Sequence, residues 1–525
     1  MSSDVPPDPA QVRLAELVAA LSLGIDLGFG QPMEHVLRQC LIALRLGERV
    51  GLDEEERAVV YYTALLINVG CHTDAHEQAK WFGDDIGLKA DKYAYEFRSV
   101  RSTAAAMRRI GSGHPLLRRF RVGLEFALGG HHDLDDMINH HSVMARTLGE
   151  QLGLPPAVLA ALSAAYEQWD GRGWPGELRE GAVPVASRLA QLAEFAEVAH
   201  RVGGVDAVTD LAKRRSGRQF DPDLAAALCA DPDPILAGLD GVASWTAVID
   251  AEPALAVVLS GDRFDAALRS VADFIDLKSP YTLGHARAVA ELAGAAGTRL
   301  GLPPADVRTL TRAGLVHGFG RLGVSNSIWD KPGPLGAGEW ERVRMQPYLT
   351  ERMLHQSAAL APLGAIAVQV RERLDGSGYP RGLSGTAISR HARVLAAADS
   401  YRSMREPRPY RPARTADDAA AQLRAEVTAG RLDADAVDAV LDAAGHRPRR
   451  RENPASLTAR EVEILQLVAR GHSNKAIAAR LVISPKTVGN HVEHIFTKTG
   501  VTTRTMASLW AVQRGLLPED APASP

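Results

Sequence analysis

Cysteine is scarce. The 525 residues contain three, Cys40, Cys71 and Cys229, widely spread and without a CxxC spacing. A disulfide framework and a zinc ribbon are therefore not suggested. No apolar stretch approaches about twenty residues, so no membrane span is expected. The start, Met1 to Pro9, lacks the basic flank and apolar run of a signal peptide. No receiver-type phosphorylation domain is apparent. The expectation is a soluble, cytoplasmic protein with no membrane partner. A net charge of −3 argues against a polyanion binder along the whole chain. What is present is a hydrophobic content of 46%, rich in Ala and Leu, which predicts an all-α fold. The length calls for two to four domains.

One stretch departs from the average charge. From Leu457 onward Arg460, Arg470, Lys475, Arg480, Lys486, Lys498, Arg504 and Arg514 outnumber Glu461, Glu463 and Glu493. The same stretch reads as four short helices. Thr458 and Glu461 have capping-box spacing ahead of an apolar face of Val462, Leu465, Leu467 and Val468. Gly471 ends that helix. Ser473 can cap a second, with Ile477, Ala478 and Leu481 inward. Ser484-Pro485 is an N-cap followed by proline at the first helical position. The third helix buries Val488, Val492 and Ile495 and turns Lys486, Gly489, Asn490, Glu493 and Thr497 outward. These residues resemble the helix-turn-helix domain that ends LuxR-type transcription regulators. The resemblance implies duplex DNA as partner, with the start of the third helix in the major groove. The residues expected at DNA are Lys475, Ser484, Lys486, Thr487, Asn490, His491, Glu493 and Lys498. Gly489 departs from the family, which usually carries a groove-facing side chain there. Paired half-sites imply a homodimer, with an internal pair of modules as the competing arrangement.

The upstream chain repeats itself. Asp375-Gly-Ser-Gly-Tyr-Pro380 matches Asp170-Gly-Arg-Gly-Trp-Pro175. Asp399 and Glu194 each follow 24 residues after the aspartate that opens this motif. His317 and Ile67 each follow 32 residues after a histidine, His285 and His35. Late in each unit stand Gly217-Arg-Gln-Phe and Gly430-Arg-Leu-Asp. Four matches in order indicate a tandem duplication. Both glycine-rich loops are expected to be structural turns or contact surfaces rather than phosphate cradles.

Tyr281 to His285, Ile328 to Leu335, Asp375 to Pro380 and Arg408 to Arg411 resemble an HD-GYP domain. Those are helical members of the HD phosphohydrolase superfamily that hydrolyse cyclic di-GMP on two or three metal ions. The resemblance implies ligand positions, and several have changed. His285, His317 and Asp399 remain. Gly318, Gln346, Val370 and Arg371 stand at other ligand positions, and Arg321 replaces the lysine after the HD dyad. In the first copy His35 is kept, Ile67-Asn68 replaces the dyad, Ala165 and Tyr166 replace paired histidines, His140 matches a histidine position, and Glu194 stands for aspartate. The losses predict no catalytic residues and no cofactor beyond one candidate divalent ion on His285, His317 and Asp399. A second histidine-rich run, His131-His132 and His140-His141 beside Asp133, Asp135 and Asp136, is expected to be a solvated segment, since a spacing of nine does not share a helix face.

The expected division is a disordered start at 1–10, a first HD-GYP-like domain at 11–230 and a connecting segment at 231–261. A second such domain at 262–445, a basic linker at 446–456, the helix-turn-helix at 457–516 and a tail at 517–525 follow. Residues 77–130 read as inserted helices with aromatic and basic faces, including Trp81, Phe82, Tyr93, Tyr95 and Phe97. The function expected is a DNA-binding transcriptional regulator whose degenerate modules sense a ligand or protein, or dimerise. The alternative is a metal-dependent phosphohydrolase joined to a DNA-binding domain.

Overall fold

Helices make nearly all the regular structure. The computed structural model describes residues 11–93, 107–112, 116–126, 131–239, 244–254, 256–446, 455, 457–514 and 516. The two strands among them, Gln11–Arg13 and Val258–Ser260, pair antiparallel with Val12 opposite Leu259. The fold is all-α, as the Ala- and Leu-rich composition predicts. No helix among the described residues is long and apolar enough to cross a membrane. The chain falls into two compact units, Met1–His446 and Arg447–Pro525.

The first unit holds the duplication. Its first module runs through helices Leu14–Gly28, His35–Arg49 and Glu54–Leu66 to a 3-10 turn at Val69–His72. The second runs through Gly261–Asp276, His285–Arg299 and Pro304–Val316 to a 3-10 turn at Phe319–Gly323. Later helices correspond too: His131–Gln151 to Ala337–Leu354, and Val185–Arg215 to Arg390–Arg405. Local chemistry repeats with them. Asp26 accepts the Val36 N–H (3.0 Å) and Asp276 the Ala286 N–H (2.8 Å), each fastening the next helix start.

One buried cluster spans both modules, and the second module has a further core of its own around Val370 and Leu395. Leu14–Gly28 is apolar on every face, the pattern of a helix enclosed on all sides. Leu17, Leu21 and Ile25 belong to the same buried cluster as Phe319, Leu322 and Met353 of the second module. Gly24 makes the close approach possible, because a Cβ there would lie 2.5 Å from Met353 Cε. A polar lock accompanies the apolar one. Buried Asp85, on the inserted helix Asp85–Ala90, accepts the Ser325 hydroxyl (2.6 Å) and the Asn326 N–H (2.9 Å) of the second module. Lys278 and Lys89 stand 3.3 and 3.5 Å from it. Burial alone would raise this carboxyl, but the two ammonium groups hold it below its usual range.

The segment expected only to connect the modules is structured. It carries helices Pro232–Leu236 and Ser244–Asp250 and the second strand. Buried Glu252 accepts from Arg13 Nε (3.0 Å) and from the Tyr62 hydroxyl (2.5 Å), so the segment is fastened to the first module. Most of the basic linker, both chain ends, Tyr95, Phe97 and the side chains of His131, His132, Asp133, Asp135 and Asp136 lie outside the described residues. The backbone from 131 belongs to helix His131–Gln151.

Asp26 carries a pH prediction. Burial raises its carboxyl from 3.8 to about 7, with His35 and the Val36 N–H opposing. The folded state therefore holds this proton more tightly than the unfolded chain. The associated stability is present below about pH 4 and lost as pH rises through about 7. Asp26→Asn keeps an acceptor for Val36 and cannot ionise. Thermal unfolding of the variant should lose less stability between acid and mildly alkaline buffer than the parent does. Equal slopes for both proteins would reject the assignment.

The second unit is a small helical domain around Leu465, Val468, Ile477, Val488 and Ile495. Every expected cap is made. Thr458 Oγ1 accepts the Glu461 N–H (3.2 Å), and Glu461 accepts the Thr458 N–H (2.6 Å) in return. Ser473 accepts from Ala476 N–H (3.3 Å), and Ser484 from Thr487 N–H (3.0 Å).

Candidate metal centre and nucleic-acid interface

In the second module two helix ends meet the middle of a third helix. His285 begins helix His285–Arg299, His317 caps Pro304–Val316, and Asp399 lies within Arg390–Arg405. All three are buried, and one ligand atom from each lies within 4.8 Å of the others. His285 Nδ1 donates to Glu406 (2.7 Å), and His317 Nδ1 to the Gly314 carbonyl (2.6 Å). With both Nδ1 atoms engaged, both Nε2 atoms turn toward Asp399 Oδ1, at 3.2 and 3.6 Å. An outer acceptor on one ring nitrogen, with the other aimed inward, is how ligating histidines are oriented. His317 Nε2 is buried without a hydrogen-bond partner, and Asp399 Oδ2 makes no hydrogen bond but faces Arg371. Two imidazoles and a carboxylate of this kind fit one divalent transition-metal ion.

The positions that differ from the family now have physical roles. Arg371 places its guanidinium against Asp399, with Nη1 2.9 Å from Oδ2. Burial would raise Asp399, but Arg371 and the two histidines hold it well below the usual carboxylate range. His317 is lowered, chiefly by burial. Gln346 turns its amide to the His317 carbonyl (2.7 Å), and Val370 joins the core. Arg321 lies 3.4 Å from Asp276.

A cavity of about 220 Å³ adjoins the trio through Arg371 and Ser403, which line it and contact Asp399; the trio itself does not line it. Lys278, Arg321, Lys331, Arg371, Arg408 and Arg411 bring positive charge to its wall, with Tyr281, Trp329, Trp340, Tyr379 and Tyr410 as aromatic faces. Arg408 donates to Glu406 (2.9 Å), so the wall and the His285 orienting group are joined. None of these cationic and aromatic wall positions was singled out as a binding residue from the sequence. Tyr281, Trp329, Lys331, Tyr379, Arg408, Tyr410 and Arg411 nonetheless lie within the four motifs that carry the HD-GYP resemblance.

The first module is built differently. Asn68 Nδ2 donates to Glu194 (2.8 Å), and Lys92 places its ammonium 2.6 Å from Glu194 and 3.0 Å from Asn68 Oδ1. Tyr93 also donates to Glu194 (2.9 Å). An internal ammonium thus stands among the groups that correspond to the trio. His35 is held by Glu197 (2.5 Å). The match of His140 to a ligand position is off by one. A Cβ on Gly70 would meet the His141 carbonyl at 2.0 Å, as one on Gly320 would meet that of Gln346, so buried His141 is the counterpart.

The glycine-rich loops are turns around a buried glutamate. Glu372 accepts the Arg381 and Leu383 N–H groups (2.8 and 2.9 Å), and Glu167 those of Gly176, Glu177 and Leu178. Their amides serve the loop itself. Both X-Pro bonds, Trp174-Pro175 and Tyr379-Pro380, are cis.

In the C-terminal unit Lys475, Ser484, Lys486, Thr487, Asn490, Glu493 and Lys498 are exposed, and His491 is half-buried. They do not form one uniform set. Ser484 is occupied as a helix cap, and Lys498 reaches back 2.7 Å to Glu461. Lys486, Thr487 and Asn490 lie in the first two turns of helix Pro485–Thr499.

Comparison with known proteins agrees with both halves. The family described as HD domain matches residues 269–436, and bacterial regulatory proteins of the luxR family match residues 455–511. The 3'3'-cGAMP-specific phosphodiesterase 3 of Vibrio cholerae is 30% identical over 413 residues, covering 78% of this chain and 90% of that protein. A cyclic di-GMP phosphodiesterase response regulator of Xanthomonas campestris is 36% identical over 177 residues, 33% of this chain and 46% of that protein. The crystal structure of a cyclic GMP-AMP-specific phosphodiesterase of V. cholerae matches with a TM-score of 0.59 and 26% identity, covering 83% of this chain and 99% of that one. The chain belongs to the HD-GYP family of HD-domain proteins, and it carries a LuxR-type domain at its C-terminus.

These relatives overturn the expectation of a non-enzyme. The two Vibrio cholerae relatives that match most of this chain's length are phosphodiesterases, and the second module retains a convergent trio. The expectation counted lost ligands one by one. It gave too little weight to the retained three, which suffice for one ion.

Proposed function

We propose that the second module binds and hydrolyses a cyclic dinucleotide, and that the chain links this ligand to duplex DNA as a transcription regulator. The observation that carries the reading is the buried His285–His317–Asp399 trio joined through Arg371 to a cationic, aromatic cavity. A cyclic dinucleotide offers two phosphodiesters and two purine faces. Guanidinium groups suit the first and aromatic rings the second. A divalent ion held by the trio supplies Lewis acidity toward a phosphodiester. Glu406 fixes the His285 ring, and Arg408 joins that carboxylate to the cavity wall. Arg371 and Arg321 bring fixed positive charge to the cavity wall, where phosphate charge would be neutralised. The first module, with Lys92 among its corresponding groups, serves as the packed partner of the second.

In the DNA-binding unit, Lys486 and Asn490 are assigned to base edges and Lys475 to phosphate. A homodimer is proposed for operator binding. Met506, Leu509 and Val512 form an exposed apolar stripe on helix Arg504–Gln513, available for self-association.

The enzymatic part is tested by incubating full-length protein with Mn²⁺ and either 3'3'-cGAMP or cyclic di-GMP, and resolving products by chromatography. A linear dinucleotide product is expected, and it should disappear in His317→Ala. Absence of product with Mn²⁺, Fe²⁺, Mg²⁺ and Zn²⁺ alike would remove hydrolysis from the reading.

A further inference from the structure

The slot that holds Arg321, Gln346 and Arg371 in the second module holds a different set in the first. Cys71 corresponds to Arg321, His141 to Gln346 and Tyr166 to Arg371. Cys71 Sγ lies 2.7 Å from the Tyr166 hydroxyl, and His141 Nε2 lies 2.7 Å from Asp74 Oδ2. Cys71 and His141 are 6% and 5% exposed, so the group sits just under the surface. Asp74 is the more open member, its side chain 16% exposed. The His141 ring packs on Tyr166 as well, with ring centroids 6.0 Å apart. Thiol, imidazole and carboxylate are thus gathered around one tyrosine, a grouping of the kind that generates a nucleophilic thiolate.

We propose that Cys71 is a modification site, a peroxide-reactive thiol activated by His141 and oriented through Asp74. The electrostatics agree with the geometry. Burial opposes a thiolate at Cys71, but the His141 imidazolium, Lys92 and the Tyr166 hydroxyl lower the thiol overall. Burial likewise opposes a charged His141, yet Cys71 and Asp74 raise it to about 9. The other two cysteines lack this support. Cys40 is fully buried and raised by burial, and half-buried Cys229 is raised despite Lys213. In the reaction the thiolate sulfur attacks one oxygen of hydrogen peroxide. The S–O bond forms as the O–O bond breaks, and the departing hydroxide takes the His141 proton to become water. Sulfur is oxidised to the sulfenic acid and the peroxide is reduced. The neighbouring side chain, His72, lies 2.8 Å through Nε2 from the Phe274 carbonyl of the second module, so the modified turn adjoins the module interface.

The test is brief exposure of full-length protein to hydrogen peroxide with dimedone present, followed by digestion and mass spectrometry. The adduct should form on Cys71 before Cys229, although Cys229 is the more exposed thiol. His141→Gln should slow the Cys71 adduct by about tenfold. Circular dichroism checks that this variant is folded, and the ranking within the unaltered protein needs no variant. Faster labelling of Cys229 than Cys71, or an undiminished rate in folded His141→Gln, would overturn the proposal.

Discussion

Arg371→Ala should lower the stability of the metal-free protein by about 3 kcal/mol, the low end of the scale for removing one partner of a buried ion pair. The low end applies because the Arg371 side chain is 25% exposed. Asp399 is fully buried, and Arg371 is its main source of positive charge. Without the guanidinium, the carboxylate is left with two imidazoles. The same change should favour a metal ion, because Arg371 and the ion compete for Asp399. Divalent-ion affinity should rise by about tenfold, equivalent to about 1.4 kcal/mol, and saturating ion should restore part of the lost melting temperature. Calorimetry with and without Mn²⁺ or Zn²⁺ reads both effects. An unchanged melting temperature, or a loss that no divalent ion relieves, would show that Arg371 and metal do not share the site.

Lys486→Ala and Asn490→Ala should each weaken operator binding by about 1–3 kcal/mol where the parent side chain makes a bidentate base contact. Lys475→Ala should act more evenly across sequences and reduce the salt dependence, as loss of a phosphate contact does. Fluorescence anisotropy at fixed salt, with specific and unrelated duplexes, separates the two classes. The same titrations give stoichiometry, for which two chains per operator are expected. Equal affinity of all three variants would place the wrong helix face on DNA.

The helix-turn-helix was legible because its signals are local. Thr458, Ser473 and Ser484 each cap a helix within three residues of themselves, and the inward positions follow the helical period. The duplication was legible because a tandem copy preserves spacing. That spacing also picked out His285, His317 and Asp399, whose ligand atoms lie within 4.8 Å of one another. What escaped was chemistry without a counterpart in the other copy. Lys92 comes from the insertion, so no alignment of the two modules points to its place beside Glu194. Asp85 has the same origin, and its lock onto Ser325 and Asn326 joins positions 240 residues apart. His140 was preferred to His141 because two adjacent histidines look alike in sequence. Only the close approach at Gly70 distinguishes them. The paired glutamates Glu167 and Glu372 could have been found, since both precede the glycine-rich motif at the same distance.

Metal stoichiometry tests the account most directly. Full-length protein equilibrated with Mn²⁺ or Zn²⁺, freed of excess ion and measured by inductively coupled plasma mass spectrometry, should retain one ion per chain. His317→Ala should retain none, while its circular dichroism stays that of the parent. A parent protein that keeps no ion, or a His317→Ala protein that keeps as much as the parent, would contradict a metal centre at His285, His317 and Asp399.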